Sequence, residues 1–512
     1  MSTLFRNVHL LDLACESGMT PATDLLVAGD RIIAIGPDTV RQAPRDVRII
    51  DGRGKLLLPG LINAHFHSPV NHMKGRLDSL PLEIFMLYES PALEALRPTP
   101  REAYIRTQLA CAEMLKSGVT AVQDDAFFVP EPTAEIIDAV MQAYADSGIR
   151  ATVALDEPNL PELDKLPFLA DLLPGGLRAE LEKPRAFGTA DLLAMYRHLI
   201  SRWHGACDGR LRAAVSCSAP QRVSANYAQA LGDLSRSHGL PFYAHMLETK
   251  LQRVLSQEQP RLHGRSLVGY AADLGILSER LNIIHAIWVD DADLDLIAGA
   301  GAVIAHNPIS NLRLGSGVMP FRRIRDRGIP ICLGTDEAIA DDAVNIWAVA
   351  KMAGLIHNIS SPDYESWPRA GEILDCLFKG GARAMGLQDE LGVLAPGRLA
   401  DLVMLDLDAL PFTPLNDLRR QLVYCENGGS VRLTMVAGEV VYEQGRLATM
   451  DEAALRAEAR ELFSRRAPAL EQAAQAAERW LPHYRAMYAR ACARDIGMNR
   501  WLGDAERHHQ DI

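Results

Sequence analysis

One local event recurs through the middle of this chain and limits what it can fold into. A stretch with helical spacing ends in glycine, and a short apolar run follows at once. The instances are Ser117-Gly118-Val119, Ser147-Gly148-Ile149, His238-Gly239-Leu240, Ala300-Gly301-Ala302 and Arg327-Gly328-Ile329. Glycine takes the left-handed conformation that closes a helix, so each triplet marks a C-cap feeding a strand. Before Gly148, for example, Ile137, Val140, Met141 and Tyr144 recur at the period of a helix face. The runs 119–122, 151–155, 211–215, 283–284, 302–305 and 329–333 are nearly continuous in apolar residues. Strands buried on both faces read this way, and their alternation with helices makes the sheet parallel.

How these runs end narrows the architecture. The first leads into Asp124-Asp125 and the second into Asp156-Glu157. Residues 241–244 end at His245, 282–284 at His285, 301–305 at His306 and 331–335 at Asp336. Titratable groups at the C-terminal ends of successive strands are what the active face of a (β/α)8 barrel requires. The expectation is an α/β chain with a TIM-like (β/α)8 barrel over residues 59–391, in preference to an open doubly wound sheet. No GxGxxG or GxxxxGK[ST] loop follows any of these strands.

Both ends of the chain read differently. Residues 1–58 and 392–447 carry short alternating runs with turn signals, such as Gly29-Asp30 and Gly438-Glu439. They predict β-hairpins that build one small β-sandwich from the two ends. Residues 448–512 are rich in Ala, Arg and Glu at helical spacing. They predict a helical extension for packing or oligomerisation, with no chemistry of its own.

Charge and composition exclude several partners. A formal net charge of -12 argues against a broad nucleic-acid footprint, which would need a basic face. No apolar run approaches the roughly 20 residues needed to span a bilayer, and the N-terminus lacks the apolar core of a signal peptide. The eight cysteines are scattered and form no CxxC pair, which fits reduced thiols and a cytoplasmic location.

The polar strand ends include a metal-ligand pattern. In His65-Phe66-His67 the two imidazoles sit at i and i+2, on one face of a strand end, where both can reach one ion. Taken alone, two loop histidines produce the same pair. His245 is followed three residues later by Glu248, His285 closes another strand, and Asp336 another. Each alone reads equally well as a satisfied polar strand end. Together they supply ligands from strands 1, 5 and 8 and a supporting group from strand 6.

The chain resembles the amidohydrolase superfamily, in the cytosine deaminase and triazine-hydrolase branch that includes S-adenosylhomocysteine deaminase-like enzymes. The motifs that carry the resemblance are Pro59-Gly60-Leu61-Ile62-Asn63-Ala64-His65-Phe66-His67, His245-Met246-Leu247-Glu248, Ile284-His285, His306-Asn307-Pro308 with Asn311, and Leu333-Gly334-Thr335-Asp336. The segment Pro396-Gly397-Arg398-Leu399-Ala400-Asp401 matches as well, so the likeness covers residues 3–447. It implies one divalent ion, Zn²⁺ foremost and Fe²⁺ as the alternative, held by His65, His67, His245 and Asp336. Such an ion lowers the pKa of water from about 15.7 towards about 7. By the same resemblance Asp336 accepts the water proton, Glu248 shuttles it to the leaving group or ring nitrogen, and His285 orients the water or steadies developing charge. A homodimer is a further implication, as is hydrolytic attack on an electron-poor sp² carbon of a small molecule. Residues 211–220 contain no lysine that would bridge two metals.

Candidate substrate contacts are His72, Asp124, Asp125, Glu157, Gln221, His306, Asn311 and Glu337, all on strand ends or the loops after them. For each, a solvated loop residue or a brace behind the site is an equal reading. The chain departs from nucleoside-type deaminases at two places. Glu337-Ala338-Ile339 follows Asp336 where those enzymes carry glycine and a Ser-Asn pair, and Pro220-Gln221 replaces a Pro-His pair. A pocket rich in acceptors follows, suited to an amino-substituted nitrogen heterocycle or a guanidine-like group. Loss of an alkylamine or halide from a triazine-like ring, cyclic amide opening, and a silent binding protein remain as alternatives.

Overall fold

The computed structural model describes residues 2–89, 94–185 and 187–501. Eight parallel strands form the barrel. They are β1 (Leu61–His67), β2 (Val119–Ala126), β3 (Arg150–Leu155), β4 (Leu211–Ala213, resuming at Val215–Ser216), β5 (Phe242–Met246), β6 (Leu281–His285), β7 (Val303–His306) and β8 (Ile331–Leu333, resuming at Asp336–Glu337). Hydrogen bonding divides them into two five-stranded sheets that share the two interrupted strands. The first half of β4 pairs with β3 (Ala151 beside Leu211) and its second half with β5 (Val215 beside Phe242). In the same way β8 pairs first with β7 and then with β1, Asp336 lying beside Phe66. Handing each split strand from one neighbour to the next closes the barrel.

The glycine-capped crossovers form as their spacing predicts. Gly148, Gly239 and Gly301 close their helices in the left-handed conformation. The helix Ala134–Ser147 buries Ile137, Val140, Met141 and Tyr144 against the barrel. One difference matters for the site. β2 runs past its apolar core to Ala126, so Asp124 and Asp125 lie inside the strand, fully buried, and not on a loop after it.

Strands Ser2–Leu10, Thr23–Ala28, Arg31–Ile35, Arg48–Asp51 and Lys55–Pro59 join Leu402–Asp406, Val431–Val436, Glu439–Glu443 and Arg446–Leu447 in one nine-stranded sheet. Its two halves enclose a core that includes Phe5, Val27, Leu57, Leu402 and Met435, the sandwich made from both chain ends. Lys55–Pro59 pairs antiparallel with Leu402–Asp406 and then passes through Gly60 directly into β1. A Cβ on Gly60 would lie 2.0 Å from Thr120 Oγ1, so glycine is required at this crossing. Arg150 at the start of β3 is bonded to Asp401 by two hydrogen bonds of 2.9 and 3.0 Å, tying barrel to sandwich. Asp401 also accepts the Ala437 amide.

The helical extension runs through Glu452–Ala477 and Leu481–Cys492; its last segment, 502–512, lies outside the described residues. Arg466 pairs with Glu102 and Arg101 with Glu458, holding the longer helix along Pro100–Lys116. Among the described residues no helix is long and apolar enough to cross a membrane.

The Arg150–Asp401 pair is almost completely buried, with side chains 4% and 1% exposed. Removing one partner strands the other charge in a low-dielectric interior. Arg150→Met is expected to lower unfolding stability by about 3–5 kcal/mol, measured as a shift in the urea midpoint. A change within error would show that the barrel–sandwich junction does not depend on it.

Candidate metal centre

β1 delivers His65 and His67 to one face, β5 delivers His245, and the resumed part of β8 delivers Asp336. All four are buried, at 2–7% exposure. The ligand atoms of His65, His67 and His245 lie within 4.8 Å of one another. Asp336 Oδ1 stands between the pair from β1, 3.2 Å from His65 Nε2 and 3.4 Å from His67 Nε2. His285, from β6, points Nε2 at Asp336 Oδ2 (3.8 Å) and Glu248 Oε2 (3.5 Å).

Close contact between β8 and β1 makes this possible. A Cβ on Gly334 would sit 2.6 Å from Asn307 Oδ1 and 2.7 Å from His65 Cβ, so only glycine allows the approach. Asn63 and Thr335 then lock the two strands, the Asn63 amide donating to Thr335 Oγ1 and the Thr335 amide to Asn63 Oδ1. Asp336 itself has φ +63°, and Ser218, Leu247 and His285 also occupy the left-handed region at the same barrel face. Strain of this kind persists where surrounding structure enforces it, and it gathers at functional sites.

Each ring is aimed by what holds its other nitrogen. His67 Nδ1 is bonded to the Asp125 carbonyl and His245 Nδ1 to the Ser218 carbonyl, leaving Nε2 of both for the centre. Ser310 Oγ donates to Asp336 Oδ2, and His285 Nδ1 is bonded to Asn311 Oδ1 at 2.8 Å. His65 Nε2 is buried without a hydrogen-bond partner, as a metal-ligating nitrogen would be.

Electrostatics fit a cation here. Burial holds the His65 ring neutral, down to about 4, and holds His245 well below its usual range. Burial pushes Asp336 up, but the neighbouring imidazoles outweigh it and keep the carboxylate well below its ordinary range. Burial likewise works against charge on His67, and Asp336 overcomes it, raising the ring to about 10. The carboxylate thus demands positive charge beside it. A divalent ion held by these residues would satisfy the same demand, with His67 neutral as a ligand.

A cavity of about 480 Å³ opens over this cluster. Of the residues expected from sequence, Glu157, Gln221, Glu337, Glu248 and His285 line it. Five others do not line it. The turn Ser68–Met73 carries His72 away to stack on Phe463, beside a separate small cavity. Asp124 accepts from the Ser68 amide and Tyr144 Oη, bracing β1 against the crossover helix. Asp125 aims His67 through its carbonyl, and its carboxylate takes the Ser216 hydroxyl. His306 is bonded to His357 at 3.1 Å, and Asn311 to His285. His72 is carried off by the turn after β1 and Asn311 sits in the helix Pro308–Arg313, while Asp124, Asp125 and His306 are engaged by neighbouring side chains. Residue type and spacing do not separate residues beside the site from residues behind it.

The cavity also holds residues that the sequence did not single out. Glu83 and Glu89 come from the helix Leu82–Glu89, and Arg222 from the turn after β4. Ala473, Ala477, Trp480 and Tyr484 come from the C-terminal extension, which is therefore a wall of the site and not a mere appendage. Tyr88 Oη donates to Glu478 Oε1 and Lys250 Nζ to the Cys492 carbonyl, fixing that wall to the barrel. Nothing in local spacing signals a contact across nearly 400 residues.

Residues 56–441 match the Amidohydrolase family. A 5-methylthioadenosine/S-adenosylhomocysteine deaminase of Nitratidesulfovibrio vulgaris is 33% identical over 441 residues, covering 86% of this chain and 91% of the relative. An adenosine deaminase from Xanthomonas campestris with bound zinc superposes with a TM-score of 0.77 at 26% identity, covering 90% of this chain and 98% of the other. An atrazine chlorohydrolase from Arthrobacter aurescens TC1, complexed with zinc, gives 0.78 at 25% identity over 90% and 99%.

If Ser310 steers Asp336, Ser310→Ala should weaken metal binding about 10–100-fold, read by competition with a chromophoric chelator. Unchanged affinity with unchanged folding would remove Ser310 from the centre.

Proposed function

Because this chain belongs to the Amidohydrolase family, we propose that it is a metal-dependent deaminase of an amino-substituted nitrogen heterocycle or guanidine-like small molecule. The observation that carries this reading is the convergence of His65, His67, His245 and Asp336 below a cavity that also contains Glu248 and His285. The zinc-bound neighbours support Zn²⁺ as the ion.

When bound there, the ion supplies a nucleophile from water at neutral pH. Asp336, anchored by Ser310, accepts a proton from the attacking water. Glu248 is buried, which favours its protonated form, and it faces the cavity from the loop after β5. It delivers its proton to the ring or amidine nitrogen, takes up the proton of the added hydroxyl and passes that one to the departing amine, and is recharged with the proton held by Asp336. His285, held by Asn311 and aimed at both carboxylates, steadies the charge that develops on the reacting group. Water adds its oxygen to the carbon, the C–N bond breaks, and ammonia leaves.

The walls suit N–H donors. Glu89, Asp156, Glu157 and Glu337 all line the cavity, and burial raises Glu157 to about 8 and Glu337 well above the usual range. Ligand atoms of Glu337, His67 and Asp336 lie within 4.8 Å of one another, so Glu337 meets the group being attacked. A second reading, loss of a different leaving group from a triazine-like ring, is favoured by the chlorohydrolase neighbour. Eight unpaired cysteines accord with a reducing cytoplasm, and the homodimer follows from the resemblance alone.

Zinc-loaded protein incubated with purines, pyrimidines, pterins, triazines and guanidines is expected to release ammonia from one class. Glu248→Gln should cut that rate about 10²–10⁴-fold with its metal content intact. Alkylamine or chloride without ammonia would favour the second reading, and no product from any class would end both. Glu337→Gln should raise KM for the true substrate, and unchanged kinetics would exclude it from recognition.

A further inference from the structure

The cavity is crowded with carboxylates, yet one guanidinium in it has no carboxylate of its own. Arg222 ends the short turn Pro220–Arg222 that follows β4. Its Nη1 lies 3.4 Å from Ser218 Oγ and its Nη2 3.3 Å from Met86 Sδ. Among the described residues no acidic oxygen comes within 4.0 Å of it. Lys183, exposed at the cavity's rim, is likewise without an ion pair among the described residues, but the other three cations that line the cavity are paired. Lys165 is 2.7 Å from Glu162, Arg185 is 3.7 Å from Glu157, and Arg479 is 2.6 Å from Glu180.

The neighbouring side chain is also unmatched. Gln221 is 2% exposed, lines the same cavity, and keeps a buried Oε1 without a hydrogen-bond partner. Its backbone carbonyl is held by Arg261, so the turn is fixed while the amide remains free to bind. Rotating that amide would set two further N–H donors beside the guanidinium.

A planar guanidinium matches a carboxylate through two parallel hydrogen bonds, and a thioether and a distant hydroxyl are poor substitutes. Arg222 is half-buried and open to the cavity, and the unpartnered buried Oε1 of Gln221 beside it is a polar group that needs a partner from the cavity side. The cavity volume falls within the roughly 300–1,000 Å³ of sites that enclose a whole small molecule. A lone amino-bearing head group would leave much of it unfilled.

We propose that Arg222, with Gln221 beside it, receives a carboxylate carried by the substrate. The substrate class is then a bipolar molecule: an amino-heterocyclic or guanidine head at the metal centre, joined by a short arm to a carboxylate. This builds on the deaminase reading above for the head and adds the anionic end. The competing role for Arg222 is to offset the cavity's carboxylates at longer range, since its charge acts on Glu83, Glu89 and Glu248 alike. That role is blind to the ligand's arm.

Matched probes separate the two roles. Calorimetric titration of zinc-loaded Glu248→Gln protein compares 4-guanidinobutyrate with n-butylguanidine, and a diaminotriazine carrying a carboxyethyl arm with its ethyl counterpart. In at least one pair the carboxylated member should bind tenfold tighter or more, a difference of about 1.4 kcal/mol. Adding Arg222→Met should bring the members of that pair to equal affinity, and Arg222→Lys should restore part of the preference. Equal affinity within both pairs, no binding of either carboxylated probe, or an equal loss for both members in Arg222→Met would overturn the proposal. A retained preference, with the zinc-loaded unaltered protein releasing no ammonia from any substrate class, would instead overturn the deaminase reading and leave the carboxylate site standing.

Discussion

A buried carboxylate set between imidazoles organises this molecule. Asp336 is buried at the floor of the cavity, in a left-handed backbone conformation, at the point where an interrupted strand resumes. An ionised carboxylate in such surroundings is costly without compensating positive charge. His65 and His67 approach it from β1, and that approach exists because Gly334 lets the two strands come within side-chain contact. The Asn63–Thr335 bonds fix the register, and Ser310 fixes the carboxylate. Barrel closure and cation affinity therefore share one set of contacts.

Around that centre the protein separates aiming from binding. Asp125 and Asn311 hold imidazole Nδ1 atoms from outside the cavity and Ser218 does so from its edge, while Glu248, Glu337 and Gln221 face its interior. Rigid support behind mobile ligand chemistry is what a metal site needs to keep an open position usable. The outer wall is assembled from distant chain. Helix Leu82–Glu89 and the extension around Ala477 and Trp480 pack together through a cluster that includes Ile84, Tyr484 and Met487. A segment outside the family match thereby shapes the space available to a ligand.

Much of the architecture is legible in the sequence. Glycine caps before apolar runs mark the crossovers, because a left-handed residue ends a helix whatever lies beyond it. The spacing of His65 and His67, with His245, His285 and Asp336 at later strand ends, is a local statement about which side chains emerge at one barrel face. Asp124 and Asp125 show the boundary of such reading. Their types and positions suit a site, but β2 continues past them and turns their carboxylates to Tyr144 and Ser216. His72 shows it again, turned by a 3-10 segment to stack on Phe463.

By itself, then, the sequence determined the order of strands and helices, the joining of both termini in one sheet, and the emergence of His65, His67, His245 and Asp336 at one barrel face. These follow from short-range rules of helix capping, strand alternation and ligand chemistry, each contained within a few residues. Only the tertiary structure decided which of the polar strand ends face the cavity, that Glu83, Glu89 and Arg222 enter it, and that the C-terminal helices wall it. Those outcomes depend on strand register, on where β4 and β8 break, and on packing between segments hundreds of residues apart, none of which leaves a mark in local spacing.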